Sequence, residues 1–214
     1  MAETTDSGDR TASTIDADSI GPQLDLDDIA FPVDVGRALA HAHGVESPVG
    51  TGAEWVATTK AALGEEVGTA PTVDDLCTSP DGRHTFSARD GDHEQAYVCV
   101  LDPLVYPFLT DTPGTVRSVT PVREETVEIT VDEESATTSH DEAVVSLGAA
   151  TGLDPDAEVS FERVYADVCG YVHVFADEAE YDVWREKSDG ATTAVPVEEG
   201  VAISRELATA LFGT

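Results

Sequence analysis

Apolar residues recur at helical spacing in the first third of the chain. One series runs through Val35, Leu39 and Ala42, and a second begins at Trp55. Residues rich in Gly, Ser and Pro separate the two series and interrupt the helical pattern. The spacing therefore predicts a small helical N-terminal subdomain over residues 25–75.

The middle of the chain changes from helical spacing to alternation of apolar and polar residues. Val and Ile alternate with polar residues over 115–122 and 125–131, as in antiparallel strands with one buried face. Residues 132–142, which follow the second of these strands, are rich in acids and are predicted to form a solvated loop. Turn signals and short apolar runs predict further strands over 85–88, 95–100, 143–147 and 171–175.

Helices are predicted at three places among and after these strands. Asp102-Pro103 opens a short helix, because Asp is a good N-cap and Pro suits the first helical position. Amphipathic spacing predicts two more helices, over 177–187 and 201–212. Together the elements predict an α+β fold, in which antiparallel β-strands carry peripheral helices, with the main domain over 76–214.

Acidic residues dominate the charge of the chain. It has 43 Asp and Glu against 11 Lys and Arg, for a formal net charge of −32. This balance excludes a nucleic acid or an anionic membrane held by a basic surface. A hydrophobic content of 41% still supplies a core, so the acids are predicted to cover a folded protein. Because molar salt screens such self-repulsion, the composition predicts the cytoplasm of an extreme halophile, such as a halophilic archaeon, with an ordinary acidic protein as the alternative.

The first residues differ from the rest in composition. Residues 1–24 are rich in Asp, Ser, Thr and Gly without apolar periodicity, and they are predicted to form a disordered acidic leader. They have no apolar segment typical of a secretory signal, and no run in the chain approaches the 18 apolar residues of a membrane span. We therefore expect a soluble, cytoplasmic protein.

Three cysteines carry the candidate chemistry. They are too few and too widely spaced for a disulfide framework, and a reducing cytosol keeps them as thiols. Asp102 follows Cys99 by three residues, while Cys169 precedes an apolar segment. Two thiols can bind a soft metal, and a nearby carboxylate can move a proton. Cys99 also precedes a predicted helix N-terminus, whose dipole favours a thiolate nucleophile.

The residues around these two thiols resemble the organomercurial (alkylmercury) lyase family. The resemblance covers about residue 84 to the C-terminus and is strongest in four short segments. They are Tyr97-Val98-Cys99-Val100-Leu101-Asp102, Tyr106-Pro107-Phe108-Leu109, Cys169 with Val172-His173-Val174-Phe175, and the helix that contains Trp184. In that family the Cys and Asp of the first motif and the Cys of the second form the catalytic set. The resemblance therefore implies that 76–214 is a catalytic domain with Cys99, Asp102 and Cys169 as its catalytic residues.

The reaction that this resemblance implies is protonolysis of a carbon–mercury bond. Two thiols capture the mercury, Asp102 relays a proton, and the protonated carbon leaves as a hydrocarbon. Hg(II) then remains transiently on Cys99, Cys169 and Asp102 until low-molecular-weight thiols or a mercuric reductase remove it. The partner is a small organomercurial, and no resident cofactor is needed. The sequence also has no Gly-rich phosphate loop.

Three features of the sequence depart from well-studied members of the family. Residues 116–122 lack a cysteine that those members carry, and Gly170 replaces the second residue of their double cysteine. The essential thiol of that pair, Cys169, is retained. Val98 stands where an aromatic residue commonly precedes the first catalytic cysteine, and it is predicted to change substrate preference.

Each candidate residue also has a structural interpretation. Buried free cysteines are common, so Cys99 and Cys169 could be inert core thiols, and Asp102 could serve only as a helix N-cap. His173 follows Cys169 by four residues, on the same face of a regular strand, and is predicted to be a core or edge residue. Cys77 lies outside the matched segments and is predicted to be a structural or surface thiol, with onward transfer of mercury as the alternative.

Two further classes of function are compatible with the sequence. A noncatalytic protein could bind or transfer Hg, Cu or Zn through Cys99, Cys169 and His173. Such a carrier has no need of a carboxylate relay, so Asp102 separates it from a lyase. A thiol oxidoreductase ranks third, because the sequence has no CxxC motif.

Overall fold

A computed structural model describes residues 20–64, 72–132 and 135–212. The predicted acidic leader lies outside these residues except for its last five. Of those, Ile20 is buried in the core, and the N–H of Gly21 donates to the carbonyl of Asp132 at 2.9 Å. The packed part of the chain therefore already includes Ile20, because its apolar side chain is removed from water.

The described residues form six α-helices and eight β-strands, and they confirm the predicted α+β class. The helices are α1 Val33–Ala42, α2 Gly52–Gly64, α3 Leu101–Thr110, α4 Phe161–Val168, α5 Glu178–Arg185 and α6 Val197–Phe212. The strands are β1 His84–Ala88, β2 Glu94–Tyr97, β3 Gly114–Val119, β4 Thr126–Val131, β5 Ala136–Thr138, β6 Val144–Ala150, β7 Val174–Phe175 and β8 Gly190–Pro196. Short 3₁₀ turns lie at Leu26–Asp28, Val73–Asp75 and Cys169–Tyr171.

The larger sheet has five strands in the order β2-β1-β3-β4-β5, and every neighbouring pair is antiparallel. Alternation in β4 places Val127, Ile129 and Val131 on its buried face, as the sequence pattern predicts. The same alternation buries Val116 in β3. This sheet packs against α3, so it supports the helix that carries Asp102.

The smaller sheet has three antiparallel strands in the order β7-β6-β8. Its central strand β6 is buried on both faces and includes the polar residue Ser146. The Ser146 hydroxyl donates to the carbonyl of Tyr171 at 2.9 Å and accepts from the N–H of His173 at 2.9 Å. These bonds fix the segment that follows Cys169 against the sheet.

The N-terminal helices share the core of the rest of the chain. Helix α1 packs on β6, while α6 packs against both α2 and α3. One contiguous hydrophobic cluster joins Leu39 and Trp55 with Leu104 and Ile203. The domain boundary predicted at residue 75 stays a prediction, but the helices on its N-terminal side contribute directly to the packing around α3 and α6.

Several predicted elements have different bounds in the structure. The strand predicted over 95–100 ends at Tyr97, because the chain bends there and the Val98 N–H donates to the carbonyl of Cys77. The acidic loop predicted over 132–142 contains β5, which pairs with β4. Of the strand predicted over 171–175, only β7 forms. Helix α4 and strand β8 were not predicted. Within the described ranges, no helix is long and apolar enough to cross a membrane.

Candidate active site

Cys99 and Asp102 lie where the bend after β2 leads into α3. The helix begins at Leu101, so Asp102 lies in its first turn. The prediction that Asp102 is the N-cap is therefore wrong. Val100 occupies that position without a side-chain cap. The Asp102 carboxylate instead accepts hydrogen bonds from outside the helix.

Asp102 joins two of the cysteine-bearing segments through one oxygen atom. Its Oδ2 accepts the Cys77 backbone N–H at 3.1 Å and lies 3.7 Å from Cys99 Sγ, which donates to it. The side chain is buried, with 6% of the residue surface exposed. A carboxylate at this distance can take a proton from the Cys99 thiol without a large movement of either group.

Cys169 comes to the same place at the end of helix α4, which the sequence pattern did not predict. Ser160 caps α4 by accepting the Arg163 N–H at 3.2 Å, and Cys169 follows the last residue of this helix. Cys169 begins the short 3₁₀ turn and is 7% exposed, while Cys99 is 2% exposed. Two elements far apart in sequence, α3 and α4, thus bring two buried thiols to one cavity.

The surroundings of Cys99 favour its neutral thiol. A hydrogen-bonding interaction with the Cys169 thiol raises the pKa of Cys99 well above its ordinary value, and burial and the Asp102 charge raise it further. The expectation that the helix dipole favours a thiolate is wrong here, because these nearer effects outweigh it. Cys99 therefore needs a base when it binds a metal.

The Asp102 carboxyl has a pKa suited to that role. Burial raises its pKa from 3.8 to about 6, while the hydrogen bonds from Cys77 and Cys99 oppose this rise. At neutral pH the group is mostly ionised and can accept a proton. After accepting one it is an acid of moderate strength, able to return the proton to a reacting atom.

The cavity beside these groups has a volume of about 80 Å³ and a mainly apolar lining. Cys99, Asp102 and Cys169 form its polar and reactive wall. The remaining walls come from α2, α3, α4 and α6 and from the residues beside them: His43, Trp55, Thr59, Leu63, Leu76, Leu101, Val105, Phe161, Val164, Tyr165, Val168, Leu207, Leu211 and Phe212. An apolar organic group would be removed from water here while an atom attached to it faces the thiols.

The sequence pattern indicates no site residues in the N-terminal helices, although three polar side chains there line the cavity. The Nδ1–H of His43 donates to the Leu39 carbonyl at 2.7 Å, and its Nε2 lies 3.2 Å from Thr59 Oγ1. Burial lowers the pKa of His43. Trp55 Nε1 is buried without a hydrogen-bond partner. The available signal was Thr59, a polar residue within an apolar helical series.

His173 lies in a separate cluster of rings. Its Nε2 donates to the carbonyl of Gly170 at 3.0 Å, and its ring packs on His84, Phe175 and Trp184. This arrangement agrees with the predicted core role. Among the residues that the structure describes, no three His, Cys, Asp or Glu side chains are arranged to hold a metal ion together.

Cys77 is closer to the site than the sequence indicated. Its backbone N–H donates to Asp102 Oδ2 at 3.1 Å, and its thiol is half-buried. Burial and the neighbouring Cys169 and Asp102 raise the pKa of Cys77 to about 11. The prediction of a structural or surface thiol therefore did not anticipate that Cys77 belongs to the same group of side chains.

Comparison with known proteins identifies the family to which the chain belongs. The model of the family MerB, alkylmercury lyase, matches residues 78–209, and the chain belongs to that family. Among solved structures, the chain is similar to the mercury-bound form of MerB2, with a TM-score of 0.46 and 18% identity. That alignment covers 60% of this chain and 59% of the MerB2 chain. Comparison with the curated proteins gave no match.

Replacing Asp102 with asparagine is expected to stabilise the folded protein at neutral pH. Because the folded-state pKa of about 6 exceeds the ordinary value of 3.8, stability is lost as the pH rises between these values. The loss is bounded by about 3 kcal/mol, at roughly 1.4 kcal/mol per pKa unit. Asparagine does not ionise and still offers an oxygen to the Cys77 N–H. Denaturant unfolding measures the free energy of unfolding of both proteins at pH 4.5 and 7.5. The difference, variant minus native, should be larger at pH 7.5. A difference independent of pH would contradict this.

Proposed function

We propose that this protein is an organomercurial lyase that cleaves carbon–mercury bonds by protonolysis, releasing a hydrocarbon and Hg(II). We assign the catalytic roles to Cys99, Asp102 and Cys169, which all lie within the matched residues 78–209. The observation that carries the proposal is that both thiols and the carboxylate line one apolar cavity, with Asp102 Oδ2 3.7 Å from Cys99 Sγ.

The two thiols account for capture of the mercury. Mercury is a soft metal that prefers sulfur to oxygen or nitrogen, and it forms stable complexes with only two thiolates. When the mercury of R–Hg–X bonds to Cys99, the thiol proton passes to Asp102 and the ligand X departs. Cys169 then supplies the second sulfur and releases its proton to X. The apolar walls of the cavity hold the organic group R.

Asp102 accounts for the cleavage of the carbon–mercury bond. Its protonated carboxyl delivers the proton obtained from Cys99 to the carbon, and the electron pair of the carbon–mercury bond forms the new carbon–hydrogen bond. The products are R–H and Hg(II) bound to Cys99 and Cys169. Asp102 returns to its carboxylate form beside the metal.

The proposed reaction needs no resident cofactor, but the bound Hg(II) must be removed. Low-molecular-weight thiols or a mercuric reductase are the proposed acceptors, since only other soft sulfur ligands compete with two cysteines. The net charge of −32 supports a cytoplasm of high salt concentration, such as that of a halophilic archaeon, as the setting. Assays therefore belong in molar salt.

The proposal is tested by incubating purified protein with methylmercury in high salt and excess thiol, and measuring methane in the headspace. The lyase releases methane in proportion to protein and time. Folded protein that binds Hg(II) but releases no methane would instead support the noncatalytic metal carrier. In that case Asp102 would have no chemical role.

The rate of hydrocarbon release is expected to depend on pH through Asp102. The carboxylate that accepts the Cys99 proton is present above its pKa of about 6 and is lost as the pH falls through that value. The single-turnover rate should therefore fall about tenfold for each pH unit well below this value. A pH series from 5 to 8 measures it. A rate that does not change with pH would show that Asp102 does not transfer the proton. A rate profile with the same midpoint pH in Asp102→Asn would show the same.

A further inference from the structure

Hydrogen bonds hold the segment around Cys77 at the edge of the active site. They join it to the bend after β2, to α3 and to α4. The Cys77 N–H donates to Asp102 Oδ2 at 3.1 Å, and its carbonyl accepts the Val98 N–H at 2.9 Å. Two residues earlier, the Asp75 carbonyl accepts the Tyr165 hydroxyl at 2.9 Å. The backbone around Cys77 is therefore fixed relative to the start of α3, which Cys99 precedes, and to α4, which Cys169 follows.

The three thiols differ in their access to solvent. Cys99 and Cys169 are buried, whereas Cys77 is only half-buried. Asp102 connects Cys77 with the buried pair, because its Oδ2 accepts both the Cys77 N–H at 3.1 Å and the Cys99 thiol at 3.7 Å. Cys77 therefore lies beside the buried pair and nearer to the surface.

This arrangement is relevant to the removal of tightly bound mercury. Hg(II) on two buried sulfurs is poorly accessible to an external thiol, because the attacking sulfur must reach the metal. Ligand exchange at mercury proceeds by attack of one sulfur and departure of another. A third cysteine beside the pair and nearer the solvent provides the first attacking sulfur within the protein.

We propose, on the basis of the proposed lyase function, that Cys77 is an exit thiol that takes Hg(II) from the buried pair and presents it to solvent thiols. In this step the bond between Hg(II) and Cys77 Sγ forms and the bond to Cys99 Sγ breaks. The Cys77 proton passes through Asp102 to the departing Cys99 sulfur, so charge and protons balance. Mercury stays Hg(II), now on Cys77 and Cys169, and each external thiol displaces one of these sulfurs.

The test starts from protein loaded with one equivalent of mercuric chloride, so that it needs no cleavage of a carbon–mercury bond. Transfer to excess glutathione is followed by separating the protein from small molecules at set times and measuring the mercury that remains on the protein. Transfer from Cys77→Ser is expected to be at least about tenfold slower than from the native protein. Thr78→Ala serves as the control, because Thr78 is the next residue and is exposed. This variant should transfer Hg(II) at the native rate.

The direction of the change separates an exit thiol from a structural residue. A substitution that merely loosens the site exposes the buried mercury and accelerates its transfer, whereas loss of the exit thiol slows it. The native rate should also saturate with glutathione, since the internal exchange becomes limiting. If Cys77→Ser does not fold, Cys77→Ala provides the same comparison.

Transfer from either folded Cys77 variant at or above the native rate would overturn the proposal. Methane release from methylmercury is measured on the same proteins in a separate assay. Native protein that releases no methane but transfers Hg(II) in a Cys77-dependent manner would refute the lyase function alone. Native protein that releases methane and transfers mercury independently of Cys77 would refute the exit thiol alone.

Discussion

Replacing Cys99 with serine is expected to reduce hydrocarbon release from phenylmercury by at least about a thousandfold, equivalent to roughly 4 kcal/mol of activation free energy. Serine is close to cysteine in size, but its hard hydroxyl oxygen is a poor ligand for mercury. It also does not supply Asp102 with a readily transferred proton. Benzene formed in a single turnover, with protein in excess of substrate, measures the effect.

Cys169→Ser serves as the matched variant for this experiment. It removes the other sulfur of the proposed pair and should cause a comparable loss. Because the two thiols act together, the double variant should be little slower than either single variant. Retention of more than a tenth of the native rate by folded Cys99→Ser would exclude Cys99 as the mercury-binding nucleophile.

Replacing Asp102 with asparagine is expected to separate mercury binding from cleavage. The variant retains both thiols and an oxygen that can accept the Cys77 N–H, so Hg(II) binding should persist. It has no carboxylate to accept the Cys99 proton and no acid to protonate the carbon. Since positioned proton transfer contributes about 10²–10⁴-fold, hydrocarbon release should fall by a factor in that range.

Asp167→Asn is a suitable control for the loss of a carboxylate. Asp167 is half-buried on α4 and pairs with Arg163 at 3.3 Å, but it does not line the cavity. This variant should retain the native rate. Native-like turnover by Asp102→Asn would contradict the proton relay, and loss of Hg(II) binding would show that the carboxylate instead acts on the metal.

The sequence predicted the elements whose patterns are long and regular. Strands β3 and β4 follow strict alternation, and α1, α2 and α6 follow helical spacing. The motifs similar to those of the family also predicted Cys99, Asp102 and Cys169, three residues that line one cavity in the structure. In these cases the local pattern and the tertiary environment favour the same structure.

Other parts depended on contacts that are remote in sequence. Helix α4 has apolar residues at helical spacing, Phe161, Val164 and Val168, but it is short and highly charged, so its spacing was overlooked. Cys77 was predicted to be a structural or surface thiol, because its hydrogen bond to Asp102 joins residues that are 25 positions apart in sequence. The contribution of α2 to the cavity wall was not predicted, because the packing of α2 against α6 determines which of its side chains face the cavity. Local spacing does not determine such contacts.

The measurement that tests the central claim most directly is a single turnover of phenylmercury in deuterated buffer at high salt. Mass spectrometry of the released benzene and of the protein reports both products. Protonolysis predicts monodeuterated benzene, one molecule per protein, with Hg(II) retained on the protein. Phenylmercury that remains intact on the cysteines, without benzene, would contradict the account.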